Sequence, residues 1–317
     1  MVVNRKSTLE PMGAATVKMM PFPRCLGSPS CVRNLGAKPF FLRRELETTP
    51  SFPVLRKVQV HLPFHFLHAQ YLPKVLKYGI NPEISFNSHT LDTFREADYR
   101  RVAERLHEAG RRITFHAPFM DLRPGAIDPR IREASRERIG QVLALAALFR
   151  PEAVVCHPSF DSRYYVSTED QWLENSLITW RELLAEAATI PVRLVLENVY
   201  EEEPRPLQRL LAALDSPDCG FCFDTGHYRA FSRDSLAAWL ECLHPFLRHV
   251  HLHDNNGEAD AHLPVGDGDF PFKEFFTFLR TKDIRPIFTI EAHNERNLRR
   301  SLENMERLGF LRGEDHC

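Results

Sequence analysis

The chain has 317 residues, of which 43% are hydrophobic and 26% are charged, a composition typical of soluble globular proteins. No run of about eighteen apolar residues occurs, which argues against a membrane-spanning helix. Residues 1–50 carry eight Lys or Arg against three Asp or Glu, which leaves 33 basic and 39 acidic residues for the remainder. The part that is expected to fold is therefore mildly acidic, and this disfavours a broad phosphate-tracking surface.

The first part of the chain differs in composition from the rest. Residues 1–52 are rich in Pro, Gly, Ser, Met and basic side chains, without sustained periodicity or the apolar core of a secretory signal. We expect a disordered or irregular N-terminal extension there, or translated sequence upstream of the true start. Seven cysteines are too sparse for a disulfide framework, so a cytoplasmic location is predicted.

From about residue 54 the chain alternates short β-rich runs with longer amphipathic segments. The predicted strands cover 54–62, 82–87, 111–117, 152–158, 192–198, 219–224, 248–253 and 285–291. Segments 128–149 and 168–188 have apolar residues every three or four positions, typical of helices, and Thr168 is a predicted N-cap. Eight strands, each followed by a helix, predict an α/β fold, a single (β/α)8 TIM barrel over residues 53–312. An open doubly wound sheet is the alternative, but the Gly-rich loop that usually follows its first strand is missing.

Polar residues stand at the carboxyl ends of six consecutive predicted strands, where barrel enzymes carry their chemistry. These residues are His116, His157, Glu197, Asp224, His251 and Glu291. His227 follows Asp224 closely, and Asp260 and His262 lie in the loop after the seventh strand. Each residue alone has an ordinary explanation, such as Asp224 capping the turn at 225–226. Burying so many carboxylates together without a cation would cost several kcal/mol each, so we favour metal ligands.

A mixture of imidazole and carboxylate ligands suits zinc, manganese, iron or cobalt, whereas magnesium and calcium favour all-oxygen shells. The sequence does not choose among these transition metals. Cys219 and Cys222 form a C-x-x-C, but strand alternation should point their side chains to opposite faces. No second cysteine pair is available to complete a zinc site, so we do not assign the pair to metal binding.

Seven short motifs follow the predicted strands in order. They are FHAPF (115–119), CHPS (156–159), LEN (196–198), FDTGH (223–227), HLHDN (251–255), DAHLPVGDG (260–268) and IEAH (290–293). Together they resemble the xylose-isomerase-like TIM barrel superfamily, which includes sugar (phosphate) isomerases and epimerases and the endonuclease IV type of apurinic endonucleases. The sugar-epimerase pattern implies one metal ion, held by Glu197, Asp224, His251 and Glu291. The endonuclease pattern implies up to three ions and adds His116, His157, His227, Asp260 and His262.

Three departures from the endonuclease pattern count against DNA repair. Phe119 stands where the endonucleases carry a tyrosine, Gly226 where they carry a cysteine, and HDNN (253–256) where they carry NDSK, which removes a lysine. The leading hypothesis is therefore a metal-dependent isomerase or epimerase that acts on a small carbohydrate. In that reaction the resemblance implies Glu197 and Glu291 as catalytic proton carriers, with His227 binding a hydroxyl or assisting proton movement.

Two alternatives to the isomerase stay open. One is a multi-zinc phosphodiesterase of the endonuclease type, in which the two glutamates would be bridging ligands. The other is a non-catalytic metal-binding sugar sensor. Nucleic acid is the less favoured partner, a membrane is not expected, and a homo-oligomer is compatible with a barrel of this size.

Several further residues are weaker candidates. His253 and His293 each lie two residues beyond a proposed ligand, so alternation can return them to the same face. A hydrogen bond at a helix start near Asn294 explains His293 equally well. Glu83 lies near the start of the second predicted strand and is not selected. Three further histidines straddle the end of the first strand: His61, His65 and His68. We do not favour them as ligands, and this stretch is expected instead to line the mouth with aromatic side chains.

Overall fold

Eight parallel strands close into a barrel in which each strand pairs with its neighbours in chain order and the first pairs with the last. This computed structural model describes residues 52–309. The strands are β1 (Gln59–Pro63), β2 (Asn81–Ser85), β3 (Thr114–His116), β4 (Ala153–Cys156), β5 (Arg193–Glu197), β6 (Cys219–Asp224), β7 (Leu247–Leu252) and β8 (Ile287–Ile290). The predicted TIM barrel is confirmed. The predicted disorder of residues 1–52 falls on a segment outside the described residues, apart from position 52.

Helices separate consecutive strands. They are α1 (Phe64–Phe66), α2 (Leu72–Tyr78), α3 (Ser88–Thr93), α4 (Glu96–Glu108), α5 (Pro129–Phe149), α6 (Glu169–Ala187), α7 (Arg205–Leu214), α8 (Thr225–Phe231), α9 (Leu236–Leu243), α10 (Phe272–Thr281) and α11 (Glu295–Leu308). A π-helical segment, Leu67–Tyr71, joins α1 to α2, and single 3-10 turns cover Pro53–Arg56 and His244–Phe246. Within the described part of the chain, no helix has both the length and the apolar character needed to cross a lipid bilayer.

One sequence-based expectation about these elements is wrong in its bounds, and another is confirmed in position only. The first strand was expected over 54–62, but Pro53–Arg56 form a 3-10 turn and the strand begins at Gln59. Proline suits the first turn of a helix, because its fixed φ is helical and its missing N–H would be unpaired there. Thr168 does occupy the N-cap position of α6, but its side chain makes no capping hydrogen bond. The other strands end within three residues of their predicted limits.

Strand alternation decides which side chains face the interior of the barrel. A small apolar cluster inside it contains Val195 of β5 and Cys222 of β6, whereas Cys219 packs in the larger core outside the strands. The two cysteines therefore do face opposite sides, as predicted. Two positions further along the same strands, Glu197 and Asp224 lie on the inner face at the carboxyl end. The apolar interior thus ends in a ring of ionisable side chains at the mouth.

Candidate metal centre

Glu197 lies at the centre of this ring, with only 1% of its surface exposed. Its Oε2 is 3.2 Å from His116 Nε2 and 3.1 Å from His157 Nε2. Its Oε1 is 3.1 Å from His227 Nδ1 and 3.3 Å from His251 Nδ1. Each oxygen of this one carboxylate therefore contacts two imidazoles, which come from different strand ends.

A second group surrounds one nitrogen of His251. Its Nδ1 lies 3.3 Å from Glu197 Oε1, 3.2 Å from Glu291 Oε1 and 3.7 Å from Asp224 Oδ2. Ligand atoms on one tetrahedral ion with bonds of about 2.1 Å lie roughly 3.4 Å apart. The four residues from β5 to β8 are therefore close enough to contact a shared cation.

A third group forms around Asp260, in the loop after β7. Asp260 Oδ2 is 3.4 Å from His227 Nε2 and 3.1 Å from His262 Nε2. His262 Nδ1 lies 3.7 Å from Glu291 Oε2, which links this group to the second one. All nine residues selected from the sequence thus belong to one connected cluster at the mouth of the barrel.

The loop that carries Asp260 and His262 is organised by a buried carboxylate that the sequence analysis did not select. Asp254 accepts hydrogen bonds from the backbone N–H groups of Gly266 (3.1 Å), Gly268 (2.9 Å) and Phe270 (3.0 Å). The backbone of Asp254 also pairs in an antiparallel bridge with Leu263. The loop is therefore closed upon itself, and the Gly-Asp-Gly turn at 266–268 is the sequence signal that could have indicated this arrangement.

Asp224 both caps a helix and belongs to the site, so the two explanations of its position are not exclusive. Its Oδ1 accepts a hydrogen bond of 2.6 Å from His227 N at the start of α8. Asn198 holds the Asp224 backbone from both sides, through Asp224 N to Asn198 Oδ1 (2.9 Å) and Asn198 Nδ2 to Asp224 O (3.1 Å). The cap fixes where the carboxylate points, and Oδ2 faces His251.

Backbone carbonyls set the tautomers of two histidines. His116 Nδ1 donates to Ala117 O at 2.9 Å, and His227 Nδ1 donates to Asn198 O at 3.0 Å. Because a carbonyl only accepts, Nδ1 carries the hydrogen and Nε2 of the neutral ring is left as an acceptor. His116 Nε2 nevertheless faces the Oε2 atom of Glu197 at 3.2 Å. Two acceptors at this distance require a second proton or a metal cation between them.

The electrostatics of the cluster follow from burial and close pairing. Burial alone would raise the pKa of Glu197, but the surrounding imidazoles, His251 first among them, hold it well below its usual range. Burial would also raise the pKa of Glu291, but His251 and other histidines lower it to about 2. Burial would lower the pKa of His251 and His227, but the neighbouring acidic groups raise both well above the ordinary value. Without a metal, the imidazoles therefore hold protons that a cation would displace.

The residues fit a divalent transition metal. Buried ring nitrogens of two proposed ligands and one carboxylate oxygen of a third have no hydrogen-bond partner: His251 Nδ1, His262 Nδ1 and Asp260 Oδ1. Buried polar atoms normally find partners, so such a concentration needs an explanation. The donor set combines imidazole nitrogen with carboxylate oxygen, which suits zinc, manganese, iron or cobalt.

Beneath the mouth lie two functional candidates that the sequence analysis missed, Glu83 and His249. Glu83 Oε1 is 3.1 Å from His251 Nε2, and its Oε2 is 3.1 Å from His249 Nε2. The hydroxyls of Thr114 (3.1 Å) and Thr289 (2.9 Å) donate to the same Oε2. His251 is thus held by Glu83 on one side while its Nδ1 faces the mouth. A carboxylate that orients a metal-binding histidine is a common feature of metal sites.

Of the three histidines near the end of β1, only His61 approaches the cluster. Its ring lies 5.8 Å from that of His116, and burial lowers its pKa. His65 instead packs against a neighbouring phenylalanine, and His68 pairs with Asp98 at 3.5 Å. Neither of these two contributes a ligand atom to the groups described above.

His293 lies at the edge of the cluster. It is exposed, and its ring stacks on His262 with 4.1 Å between centroids. The start of α11 is capped by Asn294, whose side chain accepts a hydrogen bond from Asn297 N at 2.8 Å. The capping hydrogen bond therefore belongs to Asn294, while His293 covers one face of a candidate ligand.

Glu201, beside the mouth, should make stability depend on pH. It is 2% exposed, its Oε2 accepts a hydrogen bond of 2.6 Å from Val199 N, and burial raises its pKa to about 7. Because the folded state favours the protonated acid, stability should fall as pH rises from about 4.5 to 7. Glu201→Gln should remove this loss, gaining up to about 3 kcal/mol over wild type between pH 4.5 and 8 in urea unfolding. The exposed Glu203→Gln is the control, and equal profiles for both variants would contradict the assignment.

Comparisons with known proteins agree with this fold. Residues 81–310 match the family model described as xylose isomerase-like TIM barrel. The uncharacterized protein MJ1311 of Methanocaldococcus jannaschii is 31% identical over 200 residues, 60% of this chain and 68% of that protein. The solved TTHB071 protein from Thermus thermophilus, soaked with ZnCl2, has a TM-score of 0.65 at 25% identity, covering 82% of this chain and 100% of that one.

Sugar-epimerase structures share the fold. A D-tagatose 3-epimerase-like protein has a TM-score of 0.67 at 24% identity and covers 79% of this chain and 96% of its own. The match of the family model over most of the chain, together with the closed barrel and its ring of ionisable strand ends, leads to one conclusion: the chain belongs to the xylose isomerase-like TIM barrel family.

Proposed function

We propose that this chain is a metal-dependent enzyme that holds two or three divalent transition cations and hydrolyses a small phosphate ester, most of all a phosphodiester. The observation that carries the proposal is the contact of both Glu197 oxygens with two imidazoles each. Three groups of residues would hold the cations: His116, His157 and Glu197; Glu197, Asp224, His251 and Glu291; and His227, Asp260 and His262.

The surroundings of Glu197 support a bridging ligand better than a proton carrier. A general base needs an oxygen that can approach the substrate. Glu197 is almost fully buried, and both of its oxygens are engaged by imidazoles. A carboxylate that touches two sets of imidazoles is suited to joining neighbouring cations. The surroundings of Glu197 therefore favour multinuclear hydrolysis over the isomerase that the sequence favoured.

The charge of the mouth depends on how many cations it takes. Four carboxylates belong to the cluster: Glu197, Asp224, Asp260 and Glu291. One divalent cation would leave this centre negative, which suits a neutral polyol. Three would make it positive, which suits an anionic phosphate ester. The acidic balance outside residues 1–50 still disfavours a long duplex, so the proposed substrate is small or short.

The residues of the chain have defined tasks in such a reaction. Cations held by the three groups would supply an activated water and stabilise the charge on the leaving oxygen. Hydrogen bonds from Nδ1 to the carbonyls of Ala117 and Asn198 keep Nε2 of His116 and His227 aimed into the site. Phe119 stacks on the His157 ring at 4.4 Å and is 42% exposed, so it forms an apolar wall that orients substrate and restricts water.

A metal-dependent isomerase or epimerase of a small carbohydrate is the second candidate. Glu197 and Glu291 come from β5 and β8 and approach the same His251 nitrogen at 3.3 and 3.2 Å. Two carboxylates on either side of one cation can remove and return a proton on opposite faces of a carbon. The sugar-epimerase folds among the solved structures support this candidate at the level of architecture.

The proposed setting is the cytoplasm, because the four cysteines in the described part of the chain are free thiols. Nucleic acid remains the less favoured partner, for the reason of charge given above. A homo-oligomer stays a prediction from the size of the barrel.

The test combines metal content with two assays. Purified protein loaded with zinc or manganese should keep two or three equivalents per chain by plasma mass spectrometry after dialysis. It should hydrolyse the small phosphodiester bis(p-nitrophenyl) phosphate. One equivalent, together with exchange of a ketose carbon-bound proton into deuterated water, would instead support the epimerase. Tight metal binding with no turnover in either assay would favour the sugar sensor.

A further inference from the structure

His253 occupies a buried position between two carboxylates of the cluster. It is 1% exposed, and its Nε2 lies 2.9 Å from the Asp224 carboxylate. On the other side of the ring, Nδ1 is 3.6 Å from Asp260 Oδ1, and neither of these two atoms has a hydrogen-bond partner. The ring also stacks in parallel on His262, with 3.9 Å between centroids and an angle of 5°. His253 thus joins the group around His251 to the group around Asp260.

The backbone of His253 is fixed as firmly as its ring. The Thr225 hydroxyl accepts a hydrogen bond from His253 N (3.2 Å) and donates to His253 O (2.7 Å). The same hydroxyl lies 3.1 Å from His251 O. The histidine therefore cannot retreat from its neighbours without breaking contacts that also hold the end of β7.

Gly226 leaves the space that the His253 ring fills. A Cβ at this position would lie 2.7 Å from His253 Nε2 and closer still to Cε1 and Nδ1, inside any real contact distance. Gly226 lies within α8 and does not have a left-handed φ, so its backbone does not require glycine. A glycine inside a helix costs up to about 1 kcal/mol relative to alanine. The space that the His253 imidazole needs therefore explains why residue 226 is a glycine.

We propose that His253 is a positioning residue of the metal centre, which fixes Asp224 and fills the space between Asp224 and Asp260, and that Gly226 leaves room for it. The inference rests on the proposed function, since it assigns His253 a role in holding cations. A hydrogen bond from Nε2–H fixes the Asp224 carboxylate and aims it at the site, and the bulk of the ring, 3.6 Å from Asp260 Oδ1, limits how closely Asp260 can approach. Because only 1% of its surface is exposed, His253 does not touch substrate.

The test is a double-mutant cycle on zinc affinity. Gly226→Ala should push the ring away and His253→Asn should remove it, and each should weaken zinc binding about 10–100-fold, as outer-shell losses do. The double variant should bind zinc no more weakly than His253→Asn alone, because the new methyl group then has no ring to displace. Affinity is read by competition with a chromophoric chelator, and the melting temperature of the metal-free protein is measured beside it.

Two matched controls separate this effect from general damage. Gly140→Ala in α5 adds a methyl group that meets only the mobile end of Glu186, at 3.1 Å. His107→Asn removes a histidine that bonds Phe149 O at 2.8 Å, away from the cluster. Both should bind zinc as the wild type does.

Three results would overturn the proposal. Unchanged zinc affinity in either single variant would do so, including the case in which only the metal-free melting temperature falls, because the role would then be structural. Losses that multiply in the double variant would show that Gly226 and His253 act independently. A wild-type chain that binds no zinc or manganese would remove the proposed function together with this inference. If the wild type binds zinc and both single variants bind it equally well, the inference about His253 is wrong while the proposed function stands.

Discussion

Glu197→Gln should release at least two cations and lower zinc affinity more than about 100-fold, since losing a direct ligand costs more than losing an outer-shell partner. The amide keeps the size of the side chain but removes the charge that four imidazoles contact. Hydrolysis of bis(p-nitrophenyl) phosphate should fall below detection. Metal content after dialysis and zinc titration measure the effect, and circular dichroism checks the fold.

Glu291→Gln is the matched comparison for this experiment. Glu291 contacts His251 at 3.2 Å and His262 at 3.7 Å, whereas its ligand atom lies only within 4.8 Å of that of His116, further than the 3.2 Å from Glu197 to His116. Glu291→Gln should therefore release at most one cation. Equal loss of a single cation from both variants would contradict a bridging Glu197. That result would return the epimerase, in which the two glutamates have equivalent roles, to first place.

Glu83→Gln should weaken both the metal centre and the fold. Glu83 is fully buried and is the carboxylate partner of His249 and His251, so removing its charge leaves buried imidazoles without compensation. Breaking a buried pair in this way costs about 3–5 kcal/mol, and zinc affinity should fall about 10–100-fold because His251 loses its orienting partner. Urea unfolding of the metal-free protein and zinc titration measure the two effects.

The loss of stability in Glu83→Gln should depend on pH, and the pKa shifts of Glu83 and His251 fix the direction of that dependence. Burial opposes its charge, but the two histidines hold the pKa of Glu83 well below its usual range, so its contribution is present above about pH 4.5 and is lost as pH falls. Acidic neighbours hold the pKa of His251 well above its ordinary value against the effect of burial, so its contribution is lost as pH rises through that raised value. The difference in the free energy of unfolding between Glu83→Gln and the wild type should therefore be largest between about pH 4.5 and the raised pKa of His251.

Thr289→Val provides a milder control at the same place. It removes a hydroxyl that donates to Glu83 Oε2 at 2.9 Å and lies 2.8 Å from His249 Nε2, but it leaves the charged groups in place. We expect the free energy of unfolding to fall by about 1–3 kcal/mol, because a buried group loses its hydrogen-bond partner. Zinc affinity should change little. If Glu83→Gln behaved no worse than Thr289→Val in both measurements, the orienting role of Glu83 would be wrong.

The barrel and most of its candidate site could be predicted from the sequence because both depend on local patterns. Apolar runs that end in His, Glu or Asp recur at regular spacing, and parallel strands of a closed barrel bring their carboxyl ends to one mouth. The two-residue period of a strand then fixes which side chains face inward. Glu197 and Asp224 follow inward-facing Val195 and Cys222 for this reason.

The sequence could not show how the residues divide into groups. Glu83 lies on β2 and pairs with histidines of β7, two strands that are not neighbours in the sheet and meet only across the closed interior. The bonds of Asp254 that shape the loop of Asp260, and the clash that reserves Gly226 for His253, likewise join distant positions. Local periodicity determined which residues reach the mouth. Closure of the barrel and folding of its loops decided which of them touch, because these contacts depend on distances in space rather than along the chain.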